Sequence, residues 1–220
     1  MALSRLNYNS LNVTPTASKG IGFDSGADDL AATFSGGSIT FIKKLTSDGS
    51  DATLSFVDGT SDVVLDSTYK EYMFIFNNIH PETDDVDFQF NMSIDSGSNY
   101  NVTKTTTNFR ANANEGDSSA NVSYDTARDL AQGTGFQNLL SLIGNGNDEC
   151  GSGNLHLFNP SSTVFVKHFI SRGNLYLSSD YTRDEFVAGY GNTTSAVDAI
   201  QFKMNSGEIQ GGTISLYGIN

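Results

Sequence analysis

Between residues 86 and 94 the chain reads VDFQFNMSI. Val86, Phe88, Phe90, Met92 and Ile94 alternate strictly with Asp87, Gln89, Asn91 and Ser93. A period of two puts the apolar set on one face of a strand, whereas a helix would scatter it around its circumference. The stretch therefore demands a sheet, and it predicts a half-buried strand. Just upstream, in YMFIF, Tyr72, Phe74 and Phe76 share one face and Met73 and Ile75 the other. That pattern predicts a strand covered on both sides. With the loop HPETDD between them, the two stretches are expected to pair as an antiparallel hairpin at the centre of the fold.

The remaining patterns repeat this theme. SITFIKKL, DATLSFVDG and SDVVLDS read as short strands before the central pair, with Asp58-Gly59 as a turn signal. Residues 95 to 150 read mostly as loops, with one edge strand near Tyr100 to Thr106. In DTARDLAQGTG, Asp125 is placed to cap a short helix through Leu130, although Gly133 and Gly135 interrupt it. Strands return in NLHLFNP, STVFVKHFIS, NLYLSSD and DEFVAGYG. Ile200, Phe202 and Met204 then alternate, NSGEIQGG reads as a turn, and Ile214 and Leu216 alternate with Ser215 and Tyr217 as a closing hairpin.

The 15 Phe and 9 Tyr suit a pleated surface, and turns rely on Gly, Asn, Asp and Ser because Gly numbers 22 and Pro only 3. Eight to eleven short strands with at most one helix predict an all-β fold, a β-sandwich or jelly roll, over residues 37 to 220. Residues 1 to about 36 mix small and polar residues without a period. They are expected to form an extended arm that orders against a partner.

Charge excludes several roles. The net charge is -13, and the longest basic run is Lys43-Lys44, so the counterion release that drives free nucleic-acid binding has no source. One cysteine, Cys150, permits no intrachain disulfide. The opening MALSRLNYNSLNVT has no apolar stretch of the kind an export signal carries. No run approaches the ~20 apolar residues that span a bilayer, so membrane insertion is not expected.

Chemistry-bearing residues are scattered. His80, His156 and His168 lie far apart in sequence. Asp148 and Glu149 beside Cys150 would raise a thiol pKa instead of activating it. Glu82, Asp84, Asp85 and Asp87 form one acidic cluster, and Asp148 with Glu149 a second. Two carboxylates would suffice for a glycan hydrolase, and oxygen-rich loops can hold calcium, but both clusters read first as solvated turns. No phosphate loop, nucleophile elbow or dinucleotide fingerprint appears. Tyr100, Tyr124, Tyr181 and Tyr190 offer stacking surfaces for a sugar, though packing is the commoner use of Tyr. No catalytic, cofactor or metal residue is therefore assigned.

The chain ends in SGEIQGGTISLYGIN. Apolar groups on both faces of this last strand predict a place inside a sheet or at a subunit contact, with Gly211-Gly212 marking a bulge or close backbone approach. This ending, together with GGSITFIKKL, TYKEYMFIFNNIHPETDDVDFQFNMSIDSGSNYNVT, GNLHLFNPSSTVFVKHF and AIQFKMNSGEIQGGTISLYGI, resembles a family of virion structural proteins of tailed phages, especially phages of marine bacteria. The resemblance implies a non-enzymatic particle component: a capsid decoration or tail protein, oligomeric, made in the bacterial cytoplasm and bound to other virion proteins. It brings no catalytic residues. Two other roles compete with it, a glycan-binding receptor-recognition domain of a fibre or spike and a glycan hydrolase.

Overall fold

Phenylalanines from alternate strand positions meet in one core. Phe74 lies 5.3 Å from Phe56 and 5.5 Å from Phe202, ring centre to ring centre. Phe76 lies 5.4 Å from Phe88, and Phe90 lies 5.0 Å from Phe169. Six of these seven rings have no exposed surface, and Phe169 has 1%. The computed structural model describes residues 20–23, 30–34 and 38–220.

Fourteen strands are present among the described residues. They are β1 (Gly20–Phe23), β2 (Leu30–Phe34), β3 (Ile39–Thr46), β4 (Leu54–Val57), β5 (Glu71–Pro81), β6 (Val86–Ser93) and β7 (Lys104–Asn114). The rest are β8 (Ala120–Tyr124), β9 (Gln137–Ile143), β10 (Gly151–Phe158), β11 (Lys167–Leu177), β12 (Tyr181–Gly191), β13 (Ala199–Met204) and β14 (Ile209–Ile219). The expected arm over residues 1 to 36 lies mostly outside the described residues; within that range β1 and β2 pair antiparallel.

The other twelve strands form one connected sheet that forks at β11. β11 pairs with β12 along its whole length, from Lys167↔Gly191 to Leu177↔Tyr181. It meets β9 only at Leu177↔Ile143. The fork separates two layers. One runs β3-β14-β5-β10-β11-β12-β7-β8, and the other runs β9-β6-β13-β4. The Phe contacts cross between them, so the fold is an all-β sandwich joined at one corner.

Two expected hairpins do not form. β5 pairs with β14 and β10, while β6 pairs with β9 and β13, so the central stretches sit in opposite layers. The closing pair separates in the same way, with β13 beside β6 and β4 and β14 beside β5. The physical reason is the same for both. Each strand carries large apolar side chains on one face, and facing each other across the core buries them fully, which lying side by side would leave to a third element.

β6 is also more covered than a half-buried strand. Its polar set is buried too, with Asn91 and Ser93 fully enclosed and Asp87 at 8% exposure. Asn91 donates from Nδ2 to the carbonyls of Tyr100 at 2.6 Å and Thr134 at 3.0 Å. The segments around residues 100 and 134 thus form a lid over the polar face. Ile94 falls beyond the strand and is exposed.

Residues 95 to 150, expected mostly as loops, contain β7, β8 and β9. β7 starts at Lys104, near the end of the expected edge strand, and runs on to Asn114. The expected helix at Asp125 is instead a turn. The Asp125 carboxylate accepts from Ala127 N at 3.1 Å, and Arg128 N donates to the Asp125 carbonyl at 3.2 Å. No helix occurs among the described residues. The strand expected through STVFVKHFIS begins only at Lys167, leaving Val164 and Phe165 exposed in the preceding turn.

The chain ending behaves as expected. β14 lies between β3 and β5, with Ile214 and Leu216 fully buried and Tyr217 and Ile219 half-buried. Register shifts on both sides of Gly211. Gly212 has φ +112°, and a Cβ there would lie 2.7 Å from the Asn78 carbonyl oxygen. Glycine is needed at this bulge because the backbones approach too closely for any side chain.

Candidate functional site

The alternation of β11 sends Lys167, Phe169, Ser171, Leu175 and Leu177 inward and His168, Ile170, Arg172 and Asn174 outward. Strand registers carry this outward row across the larger layer. Ile170 stands opposite His156 on β10 and Ala188 on β12, and Ala188 stands opposite Thr107 on β7. In the next row Arg172 faces Phe186, Phe186 faces Phe109, and Phe109 faces Tyr124 on β8.

This face is apolar and open. Ile170 is 53% exposed, Phe109 42% and Val122 74%. The Phe109 and Phe186 rings stack with centres 4.7 Å apart and planes 2° apart. The Arg172 guanidinium lies 4.8 Å over Phe186 and is fixed by Asp184, with an Nη2 to Oδ2 distance of 2.7 Å. Between these groups runs a shallow groove of about 500 Å³ over Ala188 and Gly189, edged by Thr105, Thr107, His168 and Tyr190. A second depression over Phe109 and Phe186 continues it. Contiguous exposed apolar surface of this kind marks a place that binds something.

The opposite, inward side of β12 and β7 carries buried charge. Glu185 has no exposed surface. Ser141 Oγ donates to its Oε2 at 3.0 Å, and Arg183 Nη1 stands 3.6 Å from Oε1, which has no hydrogen-bond partner. Burial pushes the Glu185 carboxyl up to about 7 against the pull of Ser141, Arg183 and Arg128. Arg128 bridges Asp125, at 3.1 Å, and Asp87, at 3.4 Å. Asp125 also receives Arg110 Nη1 at 2.5 Å. Burial works to raise the Asp125 pKa, but the Ala127 N–H and the two guanidiniums outweigh it and hold it low. Asn108 is fully buried with neither amide atom partnered. Asp87 further accepts from Asn138 Nδ2 and Leu142 N, both at 2.9 Å. This network ties β6 to β9 and to the turn after β8.

Lys104 is a second buried polar point. Its Nζ donates to Asn91 Oδ1 at 2.5 Å and to Val102 O at 2.8 Å. Among the described residues no carboxylate pairs with it, and burial lowers its pKa to about 7.

The candidates read from the sequence distribute as follows. His156 and His168 share the outward face. His156 Nδ1 contacts the Glu71 carboxylate, and His168 tilts against Tyr190 at 6.1 Å. His80 lies apart, with Nε2 3.0 Å from the Gly146 carbonyl. Glu82, Asp84, Asp85 and Asp148 are exposed, while Asp87 faces inward. The two acidic loops touch through Asn145, which donates from N to Asp84 at 3.2 Å and from Nδ2 to the Glu82 carbonyl at 3.0 Å. Glu149 accepts from Gly146 N and sits beside the half-buried Cys150. Among the described residues no three His, Cys, Asp or Glu side chains converge to hold a metal.

Of the four tyrosines, Tyr124 and Tyr190 lie on the outward face, Tyr181 packs against the core, and Tyr100 sits in the lid segment before β7. Phe109, Ile170 and Phe186 escaped the sequence reading of sites. The signal for them was the alternation of Thr182, Asp184, Phe186, Ala188 and Tyr190, a mixed row that periodicity alone does not mark as apolar.

Comparison with protein-family models, curated proteins and solved structures finds no match to this chain.

Proposed function

We propose that this protein is a non-enzymatic structural component of a tailed-phage virion, a capsid decoration or tail protein that docks onto other virion proteins. The observation that carries the reading is the outward face of the larger layer, an apolar surface held rigid by five hydrogen-bonded strands, β10-β11-β12-β7-β8. A binding surface built on strands stays in one shape, as repeated assembly requires. The stretches that resemble the phage family lie in β3, β5, β6, β10, the start of β11, β13 and β14, so they include part of that face as well as strands beyond it. The exposed acidic loops serve solubility in this reading. The test is quantitative mass spectrometry of purified particles. The expected result is this chain at a fixed copy number relative to the major capsid or tail protein, and particles that lack it would overturn the proposal.

A second reading, recognition of a host glycan, draws on Tyr190, His168, Thr105 and Thr107 at the groove edge. An aromatic ring beside hydroxyl and imidazole groups can stack on a sugar and bond its hydroxyls. Saturable binding of a neutral oligosaccharide that is lost in Tyr190→Ala would favour it over assembly.

A further inference from the structure

We infer that the outward face of β10-β11-β12-β7-β8 packs against the same face of a second copy of this chain. The inference rests on the reading of the protein as an assembly component and names the partner of that surface.

Charge is the first argument. The chain carries a net charge of -13. Along the outward rows of β11, β12 and β7, from His168 to Tyr176, Thr182 to Tyr190 and Thr105 to Ala113, the formal charges are those of Arg172 and Asp184, while Glu71 beside His156 and Asp129 bonded by Tyr124 stand at the two margins of the face. Arg172 and Asp184 neutralise each other across 2.7 Å. Two acidic molecules can meet through such a face without opposing their surplus charge, whereas a basic partner would be drawn to the acidic surface elsewhere.

Shape is the second. Val122, 74% exposed, and Tyr124, 50% exposed, stand on β8 at one edge of the face, and the groove over Ala188 and Gly189 lies towards β11 and β12. A knob and a hole on one surface are what a two-fold contact needs, because the rotation seats each copy's knob in the other's hole. Stacked sheets interdigitate in this way ~10 Å apart.

Area is the third. Eight residue steps at ~3.4 Å give ~27 Å along the strands, and five strands at ~4.8 Å give ~24 Å across them. Each copy then contributes ~650 Å², or ~1,300 Å² in total, which falls within the range of stable specific interfaces.

Sedimentation velocity of the full chain, alone and at micromolar concentration, tests the inference. The expected species has twice the 23.6 kDa chain mass. Ile170→Asp and Phe109→Ser should each weaken dimerisation by about 30-fold or more, since either strips a central apolar contact. Circular dichroism should remain unchanged, because both side chains are exposed in the single chain. A wild-type protein that stays monomeric overturns the inference, as does a dimer indifferent to both substitutions. Val122→Pro separates the alternative of edge pairing through β8. If it alone dissolves the dimer, the contact is strand to strand and the face-to-face inference fails. A monomer found in particles removes the dimer and leaves the virion reading standing, whereas a dimer absent from particles does the reverse.

Discussion

Glu185→Gln is expected to make the protein much more stable at pH 8 and only slightly more stable at pH 5. The carboxyl has no exposed surface, and its Oε1 has no hydrogen-bond partner. Its pKa rises from 4.5 to about 7 on folding, chiefly through desolvation. Below pH 4.5 the group is protonated in both folded and unfolded chains and contributes no difference. Between 4.5 and 7 the folded chain holds a proton that the unfolded chain has released, so stability falls as pH rises through this window. Above 7 the fold carries a buried carboxylate at full cost. At 1.36 kcal/mol for each pKa unit, that cost is about 3 kcal/mol. Glutamine matches the shape, still accepts from Ser141 and never ionises. The assay is urea denaturation of both proteins at pH 5, 6, 7 and 8, reading the difference between them so that other titrating groups cancel. The expected difference is below about 1 kcal/mol at pH 5 and approaches about 3 kcal/mol in favour of the variant at pH 8. A difference that stays flat across this range, or turns against the variant as pH rises, would refute the claim that Glu185 is held protonated by burial.

Other substitutions test the packing. Phe202 packs near Phe56, Phe74, Phe88 and Phe90, so Phe202→Ala should cost about 3–5 kcal/mol in chemical denaturation, and a loss below ~1 kcal/mol would contradict a close-packed interlayer core. Gly212→Ala forces a side chain into positive φ and against the Asn78 carbonyl, with an expected loss of about 1–3 kcal/mol; an unchanged urea midpoint would show that the bulge relaxes freely. Amides of Ile214 and Leu216 should exchange with solvent as slowly as those of β5, since β14 lies between two strands; exchange at the rate of an unfolded peptide would mean the ending frays. Lys104→Met should stabilise the fold more at pH 6 than at pH 9, because the lysine's folded pKa is lowered and its desolvation cost is relieved as pH rises from about 7 towards 10.5. A gap between the two proteins that widens with pH would contradict this.

Strand identity was legible where side chains alternate. Phe88, Phe90 and Met92 are buried on the face their spacing predicts, as are Tyr72, Phe74 and Phe76. Gly211-Gly212 announced the bulge it makes. Partner choice was not legible. A two-residue period says which way a side chain points but not which strand lies alongside, so β5 with β6 and β13 with β14 read as hairpins although they face each other across the core. Within residues 95 to 150, β7 was hidden because its inward positions carry Lys104, Thr106, Asn108 and Arg110, residues that read as solvent-facing until partners enclose them.

The candidate site divides along the same line. Sequence alone determined that the chain is a sheet protein, acidic and able to bury a large aromatic core, because composition and period are local properties. It also marked Tyr124, Tyr190 and His168 as available side chains. Only the tertiary structure decided that these stand on one face with Phe109, Ile170 and Phe186, and that Arg183 and Glu185 turn inward on the other side of the same strand. Those outcomes depend on the register between β11, β12 and β7 and on what covers each face. Both are set by long-range pairing, since a shift of one residue would send the apolar row inward and the buried charges into water.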